Sequence, residues 1–153
     1  MTQKLFCPIR REWVAALPEE IVRQKLILFM TETLKFPVET LAVEVALKSM
    51  PHLKNQEGIP NRRADIVCFA KGIHPDFDLY PLLMVECKAV PLTQKVISQV
   101  VGYNNHVQAH FVSVVNEGEL KTGWYDETSG EYSFMDNIIH YDEMLERSAL
   151  NRS

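Results

Sequence analysis

Two near-continuous apolar stretches hold their charged residues inside rather than at their ends. This constrains the fold more than any other feature of the chain. Residues 64–70 read Ala-Asp-Ile-Val-Cys-Phe-Ala, with Asp65 as the one acid, and residues 82–89 read Leu-Leu-Met-Val-Glu-Cys-Lys-Ala, with Glu86 and Lys88. Apolar runs of this kind mark central strands covered on both faces. A charge buried in such a strand is costly unless it is paired or binds a metal. Alternate residues of a strand share a face, so Glu86 and Lys88 point one way and Cys87 the other.

The rest of the chain supplies layers for that sheet. Residues 1–17 read as an extended arm or small hairpin around Pro8. Pro18-Glu19-Glu20 reads as a helix start, with proline in the first turn and acids at the positive end. Helical spacing then runs to Phe36, where Pro37 should stop it. Residues 41–47 alternate as a strand, and 51–61, with Pro51, Gly58 and Pro60, read as a loop. Residues 93–106 carry the apolar stripe of a second helix, 111–115 a buried strand, and 122–125 with 132–135 a closing hairpin. Helices mixed with a largely sequential sheet predict an α/β or α+β architecture.

A length of 153 residues fits one domain. Leu26–Met30 is as long as any uninterrupted apolar run, far below the ~20 residues of a membrane span. The N-terminus lacks the apolar region and cleavage site of a secretory signal. Cys7, Cys68 and Cys87 show no C-x-x-C spacing, which disfavours a disulfide framework or a cysteine zinc site. These features predict a cytoplasmic protein with no membrane partner. The net charge of −4 is uneven. Residues 1–110 carry 13 Lys and Arg against 11 Asp and Glu, and residues 111–153 carry 3 against 9. The first two-thirds can therefore present a weakly basic face, and the acidic tail reads as a solvated one.

Asp65 on one strand beside Glu86-x-Lys88 on the next gives hard oxygen donors near one ammonium. That set suits Mg²⁺, which is held by one or two carboxylates plus substrate phosphate. Such an ion polarises phosphate and activates water, and a lysine beside it stabilises developing negative charge.

This pattern resembles the PD-(D/E)XK nuclease signature. Further segments are similar to the N-terminal nuclease domain of type I restriction enzyme R subunits, in particular its short stand-alone members. They are Ile-Arg-Arg-Glu-Trp-Val (9–14), Pro-Glu-Glu-Ile-Val-Arg-Gln (18–24), Arg-Ala-Asp-Ile-Val (63–67), Val-Glu-Cys-Lys-Ala (85–89) and Gln-Val-Val-Gly-Tyr-Asn (99–104). The resemblance implies a restriction-endonuclease-like three-layer core over residues 18–116, with a mixed central sheet flanked by helices. Residues 1–17 would be an arm and residues 117–153 an acidic extension carrying a β-hairpin. It implies Mg²⁺- or Mn²⁺-dependent hydrolysis of DNA. Asp65, Glu86 and the backbone carbonyl of Cys87 would bind the metal, Glu20 would join directly or through water, and Lys88 would serve the transition state. Gln99 and Tyr103, four apart on one helix face, would touch DNA or support the lysine. Arg62 and Arg63 would contact phosphate. The sequence holds no G-x-x-x-x-G-K-[ST] loop, hence no ATP site, and no specificity module. A restriction role would need other subunits, and a homodimer would enlarge the footprint.

Each signal has a plainer reading. Arg62-Arg63 can be a charged strand entry, Glu20 can serve the helix dipole, and Tyr103 can be packing. Glu19 is expected in solvent. His106 and His110 are four apart, but no H-E-x-x-H acid lies between them and the helix should end before His110, so no zinc role is expected. No G-x-S-x-G elbow is present, and no context supports a cysteine nucleophile. The rival class is a catalytically silent nucleic-acid- or protein-binding module that keeps the nuclease fold.

Overall fold

The arm is a hairpin. Strands β1 (Lys4–Cys7) and β2 (Glu12–Ala15) pair antiparallel, with Phe6 opposite Trp13 and Leu5 opposite Val14. The computed structural model describes residues 3–150. Helix α1 (Pro18–Glu32) begins where the sequence places it, with Pro18 in its first turn. It ends before Pro37 demands it. Lys35 adopts a left-handed φ of 62°, and the Phe36 N–H reaches back to the Met30 carbonyl at 3.0 Å. Proline fixes where a helix can no longer run, and here Phe36, almost fully buried, turns the chain inward sooner.

Six strands form one sheet: β3 (Leu41–Ala46), β4 (Arg63–Lys71), β5 (Leu79–Cys87), β6 (Phe111–Val115), β7 (Leu120–Asp126) and β8 (Glu131–Met135), in chain order across the sheet. Only β5 and β6 pair parallel; the other neighbours are antiparallel. A parallel pair needs a crossover. Helix α2 (Gln94–Val107) supplies it, capped by the Thr93 hydroxyl, which accepts the Val96 N–H at 3.3 Å. Residue 47, read as the end of the strand, instead opens a short 3-10 turn, 47–49, and the region read as a loop begins with another, 51–53.

The two apolar runs are β4 and β5, interior strands with helices on both sides. On one face Leu26, Ile27 and Met30 of α1 pack over Ile66, Cys68, Leu83 and Val85. On the other, Val100 and Val107 of α2 cover Val67, Met84, Val112 and Val114. The result is a mixed α/β fold.

The acidic tail corrects the reading of a mere hairpin and solvated face. Strands β7 and β8 continue the central sheet, and a third helix, α3 (Tyr141–Leu150), packs on the α1 side. Its Met144 is fully buried, the Tyr141 N–H donates to the Leu34 carbonyl at 2.9 Å, and the Tyr141 ring lies 5.2 Å from that of Phe36. Residues 151–153 of that tail lie outside the described residues. Among the described residues no helix is long and apolar enough to cross a membrane.

Candidate functional site

The charges inside the core strands meet where β4 and β5 part. The last backbone pair at that end of the ladder is Ile66 with Val85. Beyond it the Asp65 side chain takes over a backbone partner: its Oδ2 accepts the Cys87 N–H at 2.7 Å. The acid thus stitches the end of β5, which places it beside Glu86. Glu86 is 4% exposed. Burial, and then the negative charge of Asp65, push its carboxyl up to about 8, while the charges of Lys88 and Arg62 pull the other way. A hydrogen bond to Asp65 further favours the protonated form. Lys88 follows directly after β5, half-buried, its N–H donating to the Val115 carbonyl at 2.8 Å. Its ammonium makes no hydrogen bond or ion pair among the described residues and is left to act on Glu86 through space.

Glu20 reaches this pair only through an arginine. Its Oε1 accepts from Arg10 at 2.7 Å and from Arg23 at 3.2 Å, and its Oε2 accepts from Gln24 at 3.1 Å. Arg23, 5% exposed, then donates its other Nη to Asp65 Oδ1 at 2.9 Å. Burial works against the Glu20 carboxylate, but the hydrogen bonds from Arg10 and Gln24 and the two arginine charges outweigh it and hold it below the usual range. Glu44 completes the cluster, 3.7 Å from Arg10 and 3.6 Å from Arg23. It sits opposite Asp65, where the otherwise continuous β3–β4 pairing lapses between Val43–Ile66 and Val45–Ala64, at a left-handed φ of 53°. For a residue other than glycine that conformation costs about 1–2 kcal/mol, a strain stored beside the acids.

Arg62 approaches Glu86 from the other layer. Its guanidinium lies 3.9 Å from the Glu86 carboxylate and 4.4 Å from the centroid of the Tyr103 ring on α2. The structure therefore brings together Asp65, Glu86, Lys88, Arg62 and Tyr103, with Glu20 joined through Arg23. Gln99 lies one turn before Tyr103 but is exposed, with no hydrogen bond among the described residues. Arg63, exposed on β4, makes no ion pair among them either, and Glu19 is exposed as expected. His106 lies in the last turn of α2 and His110 beyond the helix, against the Ile73 carbonyl at 3.1 Å, so they do not share a helix. The three cysteines are free and buried.

Sequence reasoning missed Arg10, Arg23 and Glu44. Arg23 carried a readable signal: with Leu26, Ile27 and Met30 it follows the helical period of the buried face, so it is a charge inside an apolar stripe, like Asp65 and Glu86.

Among the described residues no three His, Cys, Asp or Glu side chains converge as a metal cage. Two carboxylates do face each other, and burial first and the Asp65 charge second raise the Glu86 carboxyl against the pull of Lys88 and Arg62. Asp65 Oδ1 accepts from Arg23 and Oδ2 from the Cys87 N–H, and a lone pair not taken by these or by the protonated Glu86 remains for a cation. This donor set fits a hard cation that takes one or two carboxylates and fills its remaining positions with water, backbone carbonyl and substrate oxygen. Glu20, whose oxygens already serve Arg10, Arg23 and Gln24, lies outside that set. A groove of about 480 Å³ is lined by Ile21, Val22, Lys25, Ala89, Val90 and Asn116 among others, and takes in neither Lys88 nor the two acids. The larger cavity, about 680 Å³, borders Tyr80, Gln108, Trp124 and Tyr132. Tyr80 lies six residues from Glu86 along β5, roughly 20 Å at strand rise, so that cavity is remote from the acids.

Residues 18–138 match the family model described as the type I restriction enzyme R protein N terminus. No curated protein matches the chain. A solved fragment assigned to the HsdR subunit of a type I restriction enzyme from Vibrio vulnificus YJ016 is 21% identical over 70% of this chain, with a TM-score of 0.44. The match covers 20% of that structure's own length.

Proposed function

The chain belongs to the type I restriction enzyme R protein N-terminal family, and from that premise we propose that it is a nuclease domain of the PD-(D/E)XK type that hydrolyses DNA phosphodiesters with Mg²⁺ or Mn²⁺. The observation that carries the reading is the pairing of half-buried Asp65 with buried Glu86, whose carboxyl is raised to about 8, with Lys88 two residues on. Such a rise is a cost to folding that a plain structural pair would not need.

When bound, the cation polarises the phosphate and lowers the pKa of its water. Asp65 and Glu86 would hold it, with the Cys87 carbonyl as a further donor. Arg23 fixes the angle of the Asp65 carboxylate and leaves one face of it open. Lys88, whose ammonium has no hydrogen-bond or ion-pair partner among the described residues, would stabilise charge developing on the phosphate. Arg62, stacked on Tyr103, screens Glu86 and can meet an adjacent phosphate. Glu20 acts as a support for Arg10 and Arg23. DNA translocation and target choice would fall to other restriction-modification subunits, and pairing of two such chains would let both strands be cut.

A second reading has one observation in its favour. Arg23 and the Cys87 N–H already take one lone pair from each Asp65 oxygen, as they would in a module that keeps the fold without the chemistry. Supercoiled plasmid separates the two. Wild-type chain with Mg²⁺ or Mn²⁺ should nick it, and Lys88→Ala, folded by circular dichroism, should not. Intact plasmid with wild type in both metals refutes hydrolysis by this chain, and equal cutting by both proteins refutes the role of Lys88.

A further inference from the structure

The β1–β2 hairpin lies before residue 18, where the family match begins. Its two faces are unlike. Leu5, Val14 and Cys7 point inward, Cys7 fully buried. The outer face carries Phe6 and Trp13, 48% and 66% exposed, as a cross-strand pair with ring centroids 5.5 Å apart at 68°. Strand alternation puts Lys4 on that same face, and the turn adds Arg11 at a left-handed φ of 56°. Neither Lys4 nor Arg11 makes an ion pair among the described residues. The hairpin is also tied to the acids, because Arg10, next to Arg11 in the turn, is the residue that holds Glu20 at 2.7 Å.

Two exposed aromatic rings flanked by unpaired cations match a particular chemistry. Rings stack on bases that are not already stacked in a duplex, and cations follow the phosphates between them. An acidic or purely apolar partner would use only one of these features. The cluster beside the turn carries four cations, Arg10, Arg23, Arg62 and Lys88, against the four acids Glu20, Glu44, Asp65 and Glu86, so it has little net pull on phosphate and charge to one side of it would help bring a polyanion in. We propose that this face is a stacking platform for single-stranded DNA, delivering it to the carboxylate cluster. The inference rests on the nuclease reading for its direction and adds the form of the substrate.

The test is fluorescence anisotropy of a labelled 20-nucleotide oligothymidine and of a 20-base-pair duplex, with full-length protein in EDTA so that nothing is cut. Wild type should bind the single strand more tightly than the duplex. Phe6→Ala with Trp13→Ala should weaken single-strand binding by about 5- to 100-fold, leaving the thermal melt in place because both rings are exposed. Trp13→Phe should restore most of the binding. Lys4→Gln with Arg11→Gln should flatten the salt dependence by about 0.7 log units per lost contact. Undiminished single-strand binding by the double alanine variant overturns the proposal. So does wild type that binds neither oligonucleotide, or an equal loss on single strand and duplex. A dimer that sedimentation finds in wild type and not in the alanine variant, with binding unchanged, would make the face a protein interface instead. Because no readout requires cleavage, a chain that binds single strands yet never cuts would refute the hydrolytic reading alone.

Discussion

Replacing Glu86 by glutamine should stabilise the protein, and by an amount that grows with pH. Glu86 is 4% exposed and its carboxyl is raised from an ordinary 4.5 to about 8, by burial first and by the Asp65 charge second. The folded chain therefore holds a proton that the unfolded chain releases near 4.5. Stability from this group is fully present below 4.5 and is lost as pH rises through 8. At about 1.4 kcal/mol per tenfold, the span corresponds to roughly 5 kcal/mol as an upper figure. Glutamine is nearly isosteric, cannot ionise, and can still donate to Asp65 as the protonated acid does. Urea unfolding of Glu86→Gln and wild type at pH 4.5, 7 and 9 should give near-equal stability at the lowest pH. The variant should lead by about 2–5 kcal/mol at the highest. Mg²⁺ at pH 8 should narrow the gap by stabilising wild type more, through preferential binding to the folded state. A gap that stays constant with pH, or a variant weaker than wild type at pH 9, would refute the picture of an acid raised by burial and by the Asp65 charge.

Two other substitutions test the surrounding frame. Arg23→Met removes a guanidinium that is 5% exposed and pairs Glu20 and Asp65. It should cost about 3–5 kcal/mol at pH 7, toward the low end because Arg10, Gln24 and the Cys87 N–H remain. The loss in urea unfolding should shrink as pH falls from the ordinary carboxylate range through the depressed Glu20 pKa; a loss that stays constant over that whole descent would count against the ion pairing. Met144→Ala, at a fully buried position of α3, should cost about 2–5 kcal/mol in the same assay, and a cost under about 0.5 would mean that α3 is not part of the core.

What was legible in the sequence was what is local or what breaks a local pattern. Pro18 and Thr93 mark the helix starts through their own backbone chemistry, and Asp65, Glu86 and Lys88 stand out as charges inside apolar strands. The rest depends on distant partners. Glu20 looked like a metal-shell acid because nothing in its neighbourhood shows that Arg10, ten residues earlier, closes on it. Glu44 sits in an alternating strand pattern and shows its role only once Arg10 and Arg23 are placed beside it. Helix α3 has only a few apolar side chains, among them Met144 and Leu145, against many charged ones. It is held by packing on β5, on the α1 side of the sheet, and by the Tyr141–Leu34 hydrogen bond, so its periodicity is faint.

Asp65 has two employments, and this changes what its presence in any sequence of this kind means. One oxygen completes the hydrogen bonding of β5 and the other anchors α1 to the sheet through Arg23. A lineage that stopped cutting DNA would still be held to an acid at this position by the demands of folding. Lys88 is under less restraint, since its ammonium holds no hydrogen bond or ion pair among the described residues and acts on Glu86 only through space. Drift after loss of the chemistry would therefore show first at position 88. A comparison of relatives that asks only whether the aspartate is kept would count inactive descendants as enzymes, whereas the lysine two residues past Glu86 would tell them apart.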